Sequence, residues 1–539
     1  MSEQPSNSKN NIRLPLLLAL TLAVGMFIGQ QLPRSSRHFK SNLEQTNSGS
    51  VMDEIMQFVK ARYVDTVDIN SIKDKAIRNL LDQLDPHSIY ITPEEAASVD
   101  EDMKGGFDGI GIEFIMLDDT IQVVTPLPGG PCESAGVLAG DKIVSINDTV
   151  VANVKIENGK IYKMLRGQKG TEVKLGIVRG NDKTVREFKV FRDRIPVNSV
   201  ESAYMMTENT AYVKVNRFTA KTYTEFMEAI RPLAEEKGMR NLVIDLRGNP
   251  GGYLEEATQM LSQFFPEDKL LVYTEGRTDS RQEYKSSGRA RFNIQQVAIL
   301  IDEGSASASE IVAGAIQDHD RGWVIGRRSF GKGLVQEEYP LSNQGRLRLT
   351  IARYFTPSGR CIQRVYKGNK NYDHEESSRL QSGELTDASK IKIEDTTKYY
   401  TGMGRIVYSG GGITPDVFIP LDTTYFNGLF NEMNKHLPQF ISRWLEQNKS
   451  TVPADEQQFI QNYQPSDDVV EALVQYVEKH GAKRDARQLL AGKAEIKLRM
   501  KARIARIMFG DNAQFKVINA SDPAIDKALQ LINSGAALK

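Results

Sequence analysis

Apolar residues recur along this chain in three rhythms, and each predicts a different kind of structure. Over residues 14–28 they are almost continuous, L-P-L-L-L-A-L-T-L-A-V-G-M-F-I. That run is short for a bilayer span, which takes about 20 residues, and long for a signal-peptide core; no A-x-A cleavage pattern follows. It reads as an uncleaved signal anchor over 14–32, behind a polar tail (1–13) and ahead of a polar linker (33–50). From 51 to 103 the rhythm is helical. Met52, Ile55, Met56 and Val59, then Ile72, Ala76, Leu80, Leu81 and Leu84, fall on apolar faces. The segment L-D-P-H-S-I-Y ends it, and its His87, following a proline in a turn, reads as structural. Over 104–194 short strands alternate around G-F-D-G-I-G-I-E-F and A-G-V-L-A-G-D-K-I. Between 195 and 420, strands such as A-Y-V-K-V, N-L-V-I-D-L and V-A-I-L-I alternate with helices near 225–237 and 254–265. That β-α-β order predicts a largely parallel sheet. Within it, 366–401 is charged enough to read as a solvated loop, of the kind that beside an active site acts as a lid. Residues 421–539 return to helical spacing, with basic residues interleaved among Ile, Leu and Met at 493–508 as an amphipathic packing face.

Composition narrows the function classes. The 69 lysines and arginines balance 69 aspartates and glutamates, so no basic field points to nucleic acid. Two cysteines, Cys132 and Cys361, make no disulfide scaffold and have no metal-ligand spacing. No metal or other cofactor is expected.

The candidate chemistry lies between Val297 and Gln336. An apolar strand, Val297 to Ile301, leads through D-E-G-S-A-S-A-S-E into a helix carrying Ile311, Val312, Ala315 and Ile316. Ser307 falls in the first turn, where unpaired N–H groups and the positive dipole end favour a developing oxyanion. The competing reading is S-x-x-E, a capping box with Glu310. A nucleophilic serine needs a base, and no histidine is well placed in the sequence. Lys332, between Gly331 and Gly333, serves if burial lowers its pKa, and Gln336 shares its face if a strand begins at G-K-G. Gly326 to Lys332 also spells the start of a phosphate-binding loop. That reading fails at Gly333, where a Ser or Thr would hold magnesium, and at the strand-like L-V-Q-E-E-Y-P that replaces the required helix.

Taken together, G-S-A-S-A-S-E at 304–310, G-K-G-L-V-Q at 331–336 and D-L-R-G-N-P-G-G at 245–252 resemble the carboxy-terminal processing peptidases. These tail-specific S41 serine proteases carry a Ser/Lys dyad and an embedded PDZ domain, and G-G-G-I-T-P-D-V at 410–417 resembles their closing signature. The resemblance implies a crotonase/ClpP-like α/β core (195–420) with an inserted mainly-β PDZ domain (104–194), an N-terminal helical region (51–103) and a C-terminal helical extension (421–539). It implies Ser307 as nucleophile, Lys332 as base and Gln336 as its positioner, with the N–H groups of Gly251 and Ala308 as the oxyanion hole. Gly109, Ile110, Gly111 and Ile112 would cradle a substrate's terminal carboxylate while the peptide adds to a sheet edge. Arg166, near the pocket helix, reads as a surface residue or as a link between the PDZ domain and the core. The implied partners are proteins with accessible C-termini, the membrane through the anchor, and a second copy through the helical regions. The implied location is a bacterial cell envelope with the catalytic part on the periplasmic side. The rival classes are a catalytically silent PDZ scaffold and a ligand-binding protein on a related fold; the intact Ser307, Lys332 and Gln336 argue against the first.

Overall fold

The computed structural model describes residues 51–535 apart from 128, 181, 183, 266–267, 279, 289 and 367–371. The tail, anchor and linker expected over 1–50 lie outside the described residues. Among the described residues no helix is long and apolar enough to cross a membrane. The described residues up to Ala76 belong to one unit and those from Ile77 to a second. In the first, the helix Val51–Arg62 buries Met56 and leaves Met52, Ile55 and Phe58 exposed.

The second unit is built on a six-stranded sheet. Its order is Val200–Met205, Thr210–Val215, Asn241–Asp245, Gln296–Ile301, Trp323–Gly326 and Val417–Phe418, parallel throughout except for the first pair. Both faces are covered, which is why V-A-I-L-I has no polar residue. Val297, Ile299 and Ile301 point to the side of the helices Thr222–Glu235, Leu254–Leu261 and Ala308–Asp318. Ala298 and Leu300 point the other way, onto Ala524, Ile525, Ala528 and Ile532 of the last helix, Pro523–Ser534. The C-terminal extension therefore completes the core and is not an appendage to it. A second, antiparallel sheet pairs Ile89–Ile91, Arg346–Phe355, Leu270–Gly276 and Gln282–Lys285, with Leu334–Pro340 also on Arg346–Phe355.

The inserted β domain is entered and left through one two-stranded ladder, Gly106–Gly109 against Asp193–Pro196. Its own sheet runs Ile112–Leu117, Thr120–Pro126, Lys142–Ile146, Glu172–Val178, Arg186–Phe191, so Ile112–Leu117 is an edge. Ile121, Val123, Ile143, Val173, Leu175 and Ile177 fill its core, with Cys132 among them. Burial pushes the Cys132 thiol up to about 12, as suits a packing residue.

The charged stretch 366–401 is not simply a solvated loop. It contains the helix Glu375–Ser382, whose Arg379 is buried and donates to the carbonyls of Arg328 and Ser329 at 3.0 and 2.9 Å. One buried guanidinium bound to two main-chain oxygens fixes what composition alone suggested was free.

Candidate active site

Three connections at the carboxyl ends of adjacent parallel strands meet in one place, where ligands gather on open α/β sheets. The first follows Asn241–Asp245, the second Gln296–Ile301, the third Trp323–Gly326. The first two are laced together. Gly248 N–H donates to Asp302 Oδ1 at 2.8 Å, Ala306 N–H to the Asn249 carbonyl at 2.9 Å, and Ser305 Oγ to the Leu246 carbonyl at 2.8 Å.

Ser307 closes the second turn and immediately precedes the helix Ala308–Asp318. Its backbone lies at φ +54°, ψ −113°, a region that costs a residue with a side chain about 1–3 kcal/mol and that needs surrounding structure to hold it. The surroundings are visible. Glu310, fully buried, accepts from Ser307 N–H at 2.8 Å, from Lys332 N–H at 2.8 Å, from Gly331 N–H at 2.7 Å and from Ser329 Oγ at 2.6 Å. The Tyr354 hydroxyl faces the carbonyls of Ser307 and Lys332 from the other side. Glu310 thus does more than cap a helix. The capping box with Ser307 is present, and the Glu310 N–H also bonds to the Ser307 carbonyl at 2.8 Å.

Lys332 is half-buried and, among the described residues, its amine has no ion-pair partner. Burial lowers its pKa below the ordinary lysine value of 10.5, Arg348 lowers it further, and Glu310 and Asp85 oppose them. The chain after it runs as the strand Leu334–Pro340, which removes the nucleotide-loop reading.

Two of the expected site residues make local contacts that the sequence does not show. Gln336 was to share a face with Lys332, but the strand begins only at Leu334 and its register shifts between Val335 and Gln336, so simple alternation fails. Gln336 Nε2 is buried without a partner. Gly251 was to offer a free N–H, but that N–H donates to Asn249 Oδ1 at 2.8 Å. Gly251 itself is closely packed, at φ +94°, where a Cβ would lie 2.7 Å from Ser307 Cβ and 2.8 Å from Ala308 N. The Ala308 N–H carries no hydrogen bond among the described residues.

His87 is held in its turn by Asp85, which accepts from His87 N–H at 2.8 Å, and its Nε2 lies 2.8 Å from the Tyr372 hydroxyl. It lines a cavity of about 540 Å³ together with Ala306, Phe330, Lys332, Arg364 and Tyr372. Burial, then Lys332, lowers its pKa to about 4. The turn reading of His87 is right for its backbone and misses its side chain.

In the inserted domain, Gly109 ends the entry strand and Ile112 begins the edge strand. Between them the N–H groups of Ile110 and Gly111 carry no hydrogen bond among the described residues, and Gly111 takes φ +69°. Arg166 caps the helix Asn158–Leu165, pairs with Glu101 at 2.9 Å and stacks 4.5 Å from the Phe107 ring.

Sequence reasoning missed Tyr354, Asn249, Arg364 and Tyr372, and gave Glu310 too small a part. Only Glu310 had a signal, the S-x-x-E spacing. Comparisons with known proteins identify the family. A model of peptidase family S41 matches residues 209–368, a PDZ domain model matches 109–190, and a family of unknown function matches 425–510. A carboxy-terminal-processing protease of Bartonella bacilliformis is 36% identical over 355 residues, 63% of this chain and 79% of the relative. Carboxy-terminal processing protease CtpB of Bacillus subtilis is 32% identical over 328 residues, 60% and 68% of the two chains. The solved photosystem II D1 C-terminal processing protease aligns over 68% of this chain and 86% of its own, at 25% identity and a TM-score of 0.34.

Proposed function

Starting from the fact that this chain belongs to peptidase family S41, as a serine-type carboxy-terminal processing protease with a PDZ domain, we propose that it cleaves polypeptides with a Ser307/Lys332 dyad after capturing their C-termini on Gly109–Ile112. The observation that carries the reading is the joint suspension of Ser307 and Lys332 on Glu310. It ties a strained serine at a helix start to the loop of a lysine whose pKa burial lowers.

A chain end docks with its carboxylate on the Ile110 and Gly111 N–H groups and its backbone along the edge strand Ile112–Leu117. Docking raises the local concentration of the cleavable segment. Neutral Lys332 takes the Ser307 proton as Oγ attacks the carbonyl, then returns it to the leaving amine, and a water activated by the same amine releases the acyl enzyme. The Ala308 N–H stabilises the oxyanion. Gly251 joins it only by exchanging Asn249 Oδ1 for the substrate oxygen, so the described arrangement is a resting one. Gln336 positions the lysine through its unpartnered amide. Domain limits near 104–194, 195–420 and 421–539 belong to this reading, as do the anchor over 14–32, a periplasmic catalytic part in the bacterial envelope, and self-association through the exposed Met52, Ile55 and Phe58.

The test is degradation of an unstructured reporter with an apolar tail by the full chain, by Ser307→Ala and by Lys332→Ala. Cleavage by the wild type and its loss in both folded variants is expected. Retained cleavage in either variant overturns the dyad.

A further inference from the structure

Arg364 is a buried cation next to the lysine loop, and among the described residues no anion meets it. Its N–H donates to the Gly331 carbonyl at 3.0 Å, while Gly333 N–H donates to Gln363 Oε1 at 2.8 Å. The segment is therefore stitched to both neighbours of Lys332. The guanidinium carbon lies 3.8 Å from the ring centroids of both Phe330 and Tyr372, in the corner between two rings inclined at 86°. The residue is 3% exposed. Its Nη2 donates to the Tyr372 carbonyl at 2.9 Å, and its buried Nε has no acceptor.

Among the described residues no carboxylate reaches ion-pair distance of Arg364. Lys332 aside, the arginines that precede the lysine loop or line the cavity beside Arg364 are compensated. Arg327 pairs with Glu303 at 2.7 Å, Arg328 with Glu384 at 2.7 Å, and Arg379 with Glu375 at 3.3 Å. Ring faces offset part of the cost of burying a cation but leave Nε without an acceptor. On a polypeptide substrate the group that suits a guanidinium N–H pair is a carboxylate. Arg364 also lines the cavity that Lys332 and Ala306 border. Glu375 and Glu376 line the same cavity and offset its cations, so recognition of an anion rests on direct pairing.

We propose that Arg364 forms a carboxylate subsite beside the nucleophile, taking an anionic group of the substrate polypeptide within one or two residues of the scissile bond. The carboxylate comes from an Asp or Glu side chain or from the chain end itself. This rests on Ser307 and Lys332 being the reacting pair, because it is their cavity that Arg364 borders. Arg364 then acts as a specificity residue, and its partner completes a charge pair that the free enzyme leaves open.

The experiment uses the full chain and peptides with one common tail that differ only as Glu or Gln at each position within two residues of the cut, with free or amidated termini. Turnover is measured for the wild type, Arg364→Met and Arg364→Glu, and binding for the same peptides on Ser307→Ala with and without Arg364→Met. At one position Glu is expected to exceed Gln by roughly 10–100-fold in kcat/KM, carried by KM, the span of a charge-assisted hydrogen bond. In Arg364→Met the ratio falls to about one, and in Arg364→Glu a Lys peptide becomes the better substrate. If amidation, and not Glu→Gln, produces the loss, the chain end supplies the carboxylate. A wild type indifferent to both changes, or a preference that survives Arg364→Met, overturns the subsite. No turnover of any peptide alongside an intact binding preference overturns the dyad instead and leaves the subsite standing.

Discussion

The main-chain amides of Ser307 and Lys332 share a single acceptor, Oε2 of Glu310, each at 2.8 Å. Nucleophile loop and lysine loop are thus held by one buried atom, while Oε1 of the same residue holds Ser329 and Gly331. Four donors converge on two oxygens, so the site suits a carboxylate and has no place for an amide's N–H₂. Glu310→Gln is expected to lower kcat by at least ~100-fold with a much smaller change in KM, the sign of lost positioning. Glu310→Ala strands four buried donors and should cost about 2–4 kcal/mol of stability. Steady-state kinetics and denaturant unfolding of the two variants check this. Wild-type kcat in Glu310→Gln would refute it.

As the proposed base, Lys332 has to be neutral to react, and its pKa lies below 10.5 because burial and Arg348 penalise the ammonium. Activity should therefore rise with pH along a limb whose midpoint is below the ordinary lysine value. The stability sign follows. Between 10.5 and the lowered value the unfolded chain holds more protons than the fold, so this group's contribution to stability falls as pH drops through that window. Arg348→Met removes one of the two lowering causes, tempered by its pair with Glu338 at 2.6 Å. A shift of the limb to higher pH is expected from the loss of that charge. A kcat/KM profile that moves the other way contradicts the assignment of Lys332 as base.

Gly251 tests the oxyanion side. A methyl there would meet Ala306 O at 2.6 Å, Ser307 Cβ at 2.7 Å and Ala308 N at 2.8 Å, at a φ of +94° that disfavours any side chain. Gly251→Ala should displace the Ser307–Ala308 turn and lower kcat by about 10²–10³, the range for one lost oxyanion donor. Asn249→Ala frees the Gly251 N–H but also removes the bond from Asn249 Nδ2 to the Val215 carbonyl at 2.9 Å. The pair of variants separates the roles. If Gly251→Ala retains full activity, the turn is not the oxyanion site.

Much of this was legible in the chain, and the reasons are local. Parallel strands buried on both faces must be apolar throughout, so V-A-I-L-I declares itself, as does the glycine punctuation of the turns around Ser307 and Lys332. What stayed hidden depends on contacts between distant segments. Tyr354 reads as one aromatic in R-Y-F, yet it reaches two active-site carbonyls because Arg346–Phe355 crosses the second sheet beside them. His87 and Tyr372 are separated by most of the chain and still share a 2.8 Å bond in the cavity wall. The bulge before Gln336 and the Asn249 acceptor on Gly251 are single hydrogen-bond choices, and periodicity carries no record of them.

The extension beyond residue 420 is packed into the core and is not separable from it. Ile525 and Ile532 cover Val243, Leu300 and Ile325 on the sheet face opposite the Ser307 helix. Asp522, at the start of that last helix, pairs with Arg247 at 2.7 Å, and Arg247 begins the turn leading to Gly251. Its earlier helices meet the inserted domain, where Arg503 pairs with Glu113 at 2.8 Å on the edge strand and Glu446 bonds to Gln122. A chain truncated after Pro420 should therefore lose the core's second layer and aggregate. Ile525→Ala alone should cost about 2–5 kcal/mol for a buried aliphatic cut to a methyl. Asp522→Asn is the subtler test. Arg247 keeps its bond to Asp245 at 2.6 Å, so stability should fall by no more than about 1–2 kcal/mol. The oxyanion turn, however, loses its tie to the extension, and kcat should drop more than stability predicts. A truncated chain that stays soluble and cleaves at the full rate would show that the extension only decorates the core.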